Sequence, residues 1–243
     1  MRGLSRHYEL EITCRGEADP QTGYFLDIKF IDKAARQAVI PHITAACHNT
    51  PHADPAQVLA ETLSVLNAAL GGTLVSIRWM LSPFYSVELA MTTPNAANPA
   101  TATLRQRFEI AAAHRLHAPS LGDEANRAFF GKCNNPSGHG HNYIIEPAVS
   151  VPLSGTDAGR FSLAMLEQFV DRAIIQPFDH KHLNIDCPEF NQSLPGGVNP
   201  SAENIARVFY DKLAPLISAS GTGATLQSVR LWETEKTSAM YPG

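Results

Sequence analysis

Two histidines stand two residues apart in the run GKCNNPSGHGHNY, at positions 139 and 141. On a β-strand alternate side chains leave the same face, so both imidazoles would point the same way. Such a pair wants a third ligand. His114, in HRLH at 114–117, supplies it if the strand it ends pairs as a hairpin with the strand that starts at His139. Three neutral imidazoles leave one position of a tetrahedral Zn²⁺ for substrate or water, the arrangement of a catalytic rather than a structural zinc site. An isolated HxH is common in exposed turns, so the weight of the reading rests on the residues around it.

Cys133 lies six residues before His139, in a loop rich in Gly, Asn and Pro. That spacing should bring its thiol near the metal without making it a ligand, and a thiol there can ionise and act as a base. Asp179-His180, in PFDHKHLN, offers an imidazole that a carboxylate could orient for proton transfer, although adjacency alone does not establish their hydrogen bond. Glu203 falls in the first turn of an expected helix opened by Ser201, where capping and the helix dipole would by themselves explain an anion. Glu233 ends the last long expected strand, in LWETEK; a carboxylate there can accept two parallel N–H groups from a guanidine-like heterocycle edge. Lys132, Lys181, His182 and Arg115 stand beside these positions and suggest a local cationic pocket for phosphate.

These residues need strands and helices to hold them. Leu10, Ile12 and Cys14, with Tyr8 before them, alternate with polar residues as in a half-buried strand. Leu59, Leu63, Leu66 and Leu70 recur at helical spacing before Gly71-Gly72, and strands are expected at 74–80 and 85–91. Further strands are expected at 107–113, 139–151 and 226–232. Helices are expected around Leu166–Ile174 in sequence and from 201 to 217, the second opened by Asn199-Pro200. The stretch TTPNAANPATATL, 92–104, loses this periodicity and reads as a linker between 1–91 and 105–243.

The chain has 243 residues, a formal charge of −4, 17% charged and 44% apolar residues, enough for a folded globular protein with a substantial core. Without a Lys/Arg run there is no footprint for nucleic acid or an anionic membrane. No apolar run would span a bilayer and MRGLSRHYELEIT contains no signal-peptide core, so a cytoplasmic protein is expected. The four cysteines, at 14, 47, 133 and 187, form no CxxC pair and read as reduced thiols.

The two halves carry a weak repeat. Residues 23–41 lie over 159–177, 54–70 over 200–216, and 74–81 over 226–233. In that alignment Leu81 occupies the place of Glu233 and Gln57 that of Glu203, and no HGH precedes residue 92. The first half therefore lacks this site, and His7, His42, His48 and His52 are scattered without ligand spacing.

Together HRLH, FGKCNNPSGHGHNY, FDHKHLN, NPSAENIA and LWET resemble the 6-pyruvoyl-tetrahydropterin synthase family, which includes 6-carboxytetrahydropterin synthases, in the family's order over residues 107–235. The resemblance implies an α+β tunnelling fold, with antiparallel sheets, each backed by two helices, joining between subunits into a barrel. Here it implies two tandem modules, the first degenerate, in a homo-oligomer for which a trimer is one candidate. It implies His114, His139 and His141 as zinc ligands; Cys133, Asp179 and His180 as the proton-transfer group; Glu233 as the pterin anchor; and Ser201 and Glu203 near the substrate, where the cationic-pocket reading also puts Lys132. The implied substrate is 7,8-dihydroneopterin triphosphate, with elimination of triphosphate and no organic cofactor. Five residues between Cys133 and HGH resemble the 6-pyruvoyl-forming members; the 6-carboxy-forming reaction, with loss of acetaldehyde, is the alternative. A non-catalytic pterin-binding or scaffold subunit is a third reading, against which the complete residue set argues.

Overall fold

The computed structural model describes residues 9–91, 100–154 and 160–243, which fall into two compact units: Met1–Arg105 with Ser150–Arg160, and Gln106–Val149 with Phe161–Gly243. Among the described residues no helix is long and apolar enough to cross a membrane.

The first unit holds β1 (Glu9–Cys14), helices α1 (Ile28–Ala38), α2 (Ile40–Asn49), α3 (Pro55–Ala60) and α4 (Leu63–Ala69), then β2 (Leu74–Met80), β3 (Tyr85–Ala90) and β4 (Thr101–Gln106), whose last residue groups with the second unit. β1, β2 and β3 pair antiparallel, with Ile12 opposite Ile77 and Ile77 opposite Leu89. Tyr8 and His7 lie outside the described residues. All four leucines at helical spacing are buried, but Leu59 is on α3, Leu63 and Leu66 are on α4, and Leu70 is the C-cap of α4. Thr62 explains the break: its hydroxyl donates to the Leu59 carbonyl at 2.7 Å, a back-bond that competes with the helical ladder. Residues 92–99 of the expected linker lie outside the described residues, and Thr101–Leu104 belong to β4.

The second unit holds β5 (Phe108–His114), α5 (Asp123–Phe130), a 3₁₀ turn (Gly131–Asn134) and β6 (His139–Pro152), whose last three residues group with the first unit. Then follow α6 (Leu163–Val170), a π-helical turn (Asp171–Ile175), α7 (Gln176–Phe178), β7 (Lys181–His182), α8 (Leu183–Asp186), α9 (Ala202–Ser218), β8 (Thr225–Thr234) and β9 (Thr237–Tyr241). β5 pairs antiparallel with β6, β6 with β8, and β8 antiparallel with β9, a strand beyond the last one expected at 226–232. β7 departs from the expected all-antiparallel pattern by running parallel to β5 over two residues. α9 buries Ile205, Phe209, Leu213 and Ile217, one residue per turn. Phe209 meets Phe178, which in turn meets Phe190, at ring separations of 5.0 and 5.9 Å.

The strand alternation positions the chemistry. Ile110 and Ala112 precede His114 on the buried side of β5, Val229 and Leu231 precede Glu233 on that of β8, and Tyr143 and Ile145 follow His139 and His141 on that of β6. The polar residues are thus the terminal members of rows that otherwise form the core, and packing of those rows fixes them.

Candidate metal centre and adjoining cavity

The register of β5 on β6 puts His114 directly opposite His139 and Ala112 opposite His141, so the three imidazoles share one face as the hairpin reading requires. Nε2 of His114 lies 3.1 Å from Nε2 of His139 and 3.3 Å from Oε1 of Glu233, which is 3.5 Å from Nε2 of His141. One ligand atom from each of the four residues lies within 4.8 Å of the others. Among the described residues no other group of three or more His, Cys, Asp or Glu converges in this way.

The hydrogen bonds show what this cluster is built for. His114 is fully buried, and its Nδ1 lies 2.7 Å from the Pro200 carbonyl oxygen. A carbonyl can only accept, so Nδ1 carries a proton and Nε2 is the nitrogen turned toward the Nε2 of His139 and the carboxylate. Nε2 of His141 is buried and without a hydrogen-bond partner despite its closeness to Glu233. Lone pairs and an anionic oxygen gathered this tightly repel unless a proton or a cation lies among them. The residues therefore fit a metal ion, with Pro200 holding the first ligand in the metal-binding tautomer.

Burial holds the His139 imidazole below its usual value, with His114 adding to the effect, and burial does the same for His141, opposed by Glu233. Both shifts favour the neutral, metal-binding form. The facing His114 ring holds the Glu233 carboxyl below the usual range against the opposing effect of burial. Tyr143, completely buried beside His114 and His141, has its phenol pushed up by burial and its hydroxyl left without a partner.

A cavity of about 750 Å³ opens beside the cluster, with His139, His141 and Cys133 in its wall together with Lys132, Arg115 and Arg127. Cys133 stands on the 3₁₀ turn, whose carbonyl accepts from Leu116 at 2.8 Å. Asn134 ties the same turn to the HRLH segment by donating to the Leu116 carbonyl at 2.7 Å. Gly138, at φ +70°, turns the chain into β6 where a Cβ would lie 2.7 Å from Nε2 of His182 and 2.9 Å from the His114 carbonyl oxygen.

Asp179 and His180 do form the pair that adjacency left open. Oδ2 of Asp179 lies 2.8 Å from Nδ1 of His180, while Oδ1 accepts from the Ala111 backbone at 2.8 Å. The Ala111 N–H is the main influence holding the Asp179 carboxyl below its usual value, with His180 assisting. His180 adopts φ +55°, a conformation uncommon outside glycine and costly enough to signal a function. The π-helical turn Asp171–Ile175, separated from the pair by α7, is a second irregularity of the kind found at functional sites. The His180 side chain is 81% exposed and, like Asp179, does not line the cavity that contains Cys133. Ser201 caps α9, accepting from the Asn204 backbone at 3.4 Å; Glu203 is exposed in the first turn, and neither lines that cavity.

Arg127 and the Pro200 carbonyl were not singled out by sequence. Arg127 sits in a segment with no motif, and a backbone carbonyl carries no residue-type signal.

This is a mixed α+β protein carrying a candidate catalytic metal centre at the end of a helix-backed sheet. A family model described as 6-pyruvoyl tetrahydropterin synthase matches residues 103–243. The chain is 34% identical over 153 residues to the human 6-pyruvoyl tetrahydrobiopterin synthase, covering 63% of this chain and 99% of the relative. It is 33% identical over 142 residues to a Drosophila melanogaster protein of the same name, covering 58% and 80%. The solved Caenorhabditis elegans 6-pyruvoyl tetrahydropterin synthase is similar at a TM-score of 0.52 and 31% identity, over 59% of this chain and 96% of that one. The chain belongs to the 6-pyruvoyl tetrahydropterin synthase family.

Proposed function

We propose that the chain is a zinc-dependent lyase of the 6-pyruvoyl-tetrahydropterin synthase type, acting on 7,8-dihydroneopterin triphosphate with elimination of triphosphate. The observation that carries this reading is the convergence of three imidazoles and a carboxylate beside a cavity that also contains the Cys133 thiol. His114, His139 and His141 would hold the zinc, the metal that a three-imidazole set with an open position suits best. Zinc, when bound, polarises side-chain oxygens of the substrate so that protons on the neighbouring carbons become more acidic.

The remaining work falls to the chain's own side chains. Cys133, facing the same cavity as His139 and His141, removes a proton from the substrate side chain. The Asp179 carboxylate orients His180 through its Nδ1, leaving Nε2 to deliver or accept the second proton. Glu233 accepts paired N–H groups from the pterin edge, and Lys132 meets negative charge at the cavity wall. Ser201 and Glu203, at the start of α9, stand near the substrate in this reading. Redox stays internal to the substrate, so no organic cofactor is required.

The spacing of Cys133 from HGH, together with the names of the curated relatives, supports the 6-pyruvoyl product over the 6-carboxy one. The first unit, with its antiparallel strands and broken helices but no ligand cluster among its described residues, is read as a degenerate tunnelling-fold module, and the chain as a cytoplasmic homo-oligomer in which sheets join into a barrel. Incubating pure protein with dihydroneopterin triphosphate and identifying the pterin by mass tests the function. A 6-pyruvoyl product supports it; a 6-carboxy product with acetaldehyde selects the alternative; no turnover selects a binding or scaffold role.

A further inference from the structure

A second cavity, of about 380 Å³, adjoins the first and shares Arg115 and Pro136 with it. Its polar lining differs sharply from that of its neighbour. Arg115, His117, His182, Asn191, Gln192 and Ser193 all face it, and no carboxylate does, whereas Asp123 lines the larger cavity.

Several of these groups are held so that donors remain unspent. Nε of Arg115 donates to the Asn134 carbonyl at 3.2 Å, which anchors the guanidinium by one edge. The Asn134 amide nitrogen lies 3.2 Å from Nδ1 of His117. An amide nitrogen can only donate, so Nδ1 accepts and the His117 proton resides on Nε2. Nδ1 of His182 is buried with no hydrogen-bond partner, a costly condition for a polar atom. The His182 ring is seated by contact with Gly138, where any side chain would displace it, and its backbone N–H donates to Asp186 at 2.7 Å. A chamber with a fixed guanidinium, imidazole N–H groups, amides and a hydroxyl, without a competing acid, suits a multiply charged oxyanion.

We infer that this chamber is a polyphosphate site, separate from the metal chamber, with Arg115 as the wall between them. Resting on the proposed function, the assignment places the substrate's triphosphate behind Pro136 while its reacting carbons lie beside Cys133. The leaving triphosphate is then already housed away from the metal when its bond to the side chain breaks.

The test measures the anion alone and so does not depend on turnover. Mg²⁺-tripolyphosphate is titrated calorimetrically into the full chain at fixed ionic strength, with protein-bound metal assayed before and after. One binding event per chain is expected, without loss of metal. His182→Phe, which preserves the ring's shape, together with His117→Phe, should weaken it by about tenfold or more, as loss of charge-accepting donors does. Arg115→Lys should weaken it less than Arg115→Met. Arg127→Gln, confined to the larger cavity, should change it by less than about twofold, the scale of an unshared surface charge. Failure to bind tripolyphosphate, or a site lost with Arg127 but intact without His117 and His182, overturns the assignment. Should the anion bind as expected while dihydroneopterin triphosphate is not turned over, the chamber stands and the proposed function falls.

Discussion

His114 and Pro200 are 86 positions apart in the chain, and a 2.7 Å hydrogen bond joins the imidazole of one to the carbonyl of the other. The bond fixes which nitrogen of His114 is free, and it couples the end of β5 to the start of α9. Asn199 strengthens the link, its side chain accepting from the His117 backbone at 3.2 Å and its carbonyl from the Asn204 side chain at 2.8 Å. Any metal affinity of this cluster would therefore depend on a turn that contributes no ligand.

Metal content should follow the imidazoles. Purified protein is expected to hold about one zinc per chain, and the His139→Ala, His141→Ala double variant to hold background amounts, since a single remaining imidazole cannot compete with water for the ion. Elemental analysis against protein concentration decides it. Stoichiometric zinc in the double variant would contradict the site.

Cys133 and Glu233 should separate into rate and affinity. Cys133→Ala is expected to keep its zinc while turnover falls by about a hundredfold or more, the contribution of a positioned base. Glu233→Gln is also expected to keep zinc on the three imidazoles, and to weaken dihydroneopterin binding by about tenfold, because an amide presents one acceptor to a two-donor edge. Unaltered affinity in Glu233→Gln would leave its carboxylate to the metal alone.

The strained turn at 179–180 yields a third expectation. His180→Asn retains a residue that tolerates positive φ, so its melting temperature should match wild type while turnover falls by about a hundredfold. Asp179→Asn should keep the Ala111 hydrogen bond and lose the imidazole's orientation, with a similar loss of rate and little loss of stability. A marked drop in melting temperature for either variant would give the pair a structural role.

Acid should loosen the first unit through Glu88. Burial would raise this carboxyl, but Arg105 at 2.5 Å and Arg78 at 3.3 Å outweigh it and hold the group below its usual value. A carboxyl depressed in the folded state contributes stability that is fully present above its unfolded value of about 4.3 and is lost as pH falls through the folded value. Glu88→Gln should therefore cost about 1–2 kcal/mol at neutral pH and flatten the decline of melting temperature in acid. Equal slopes for the two proteins below pH 5 would remove Glu88 from the acid response, since the pair's linkage lies in that range.

A fragment beginning near residue 100 contains every proposed catalytic residue, yet it strands Ser150–Arg160, which belong to the first unit. In the whole chain the Leu153 carbonyl accepts from Gln57 at 2.6 Å, and Arg160 pairs with Asp54 at 3.0 Å. Those partners are absent from the fragment, as are the strands β1, β2 and β3. Poor solubility or altered assembly is expected by sedimentation. A soluble, fully active fragment with the native number of chains per particle would show the first half to be dispensable.

The readable parts of this protein are those where local rules act. HGH announced a shared face because strand alternation has a period of two, and His114 followed because one hairpin aligns it with His139. The leucine row of the first unit was legible as helix but its break was not, since the Thr62 hydroxyl's choice of the Leu59 carbonyl depends on packing. β4 was hidden in a segment of Thr and Ala that looks like a linker, and β9 in a tail whose pairing partner, β8, lends it the order it lacks alone. Asp179 and His180 were legible as types, whereas their hydrogen bond and the positive φ that accompanies it are signalled by no composition. Gln57, aligned with Glu203 in the repeat, turned out to have a hydrogen-bonding job of its own.

Gly138 also bears on how this protein can evolve. Its φ of +70° excludes most side chains, and the space its missing Cβ leaves is bounded on one side by His182 and on the other by the backbone of His114. One substitution there would press simultaneously on the wall of the anion chamber and on the carrier of a metal ligand, so no second-site change in either place alone could rescue it. Gly122, which has open space around its missing Cβ and an ordinary φ, faces no such bind. In a saturation library selected for activity, position 138 should stay empty of variants while 122 fills, and the descent of this chain should have been channelled through an unbroken line of glycine at that one turn.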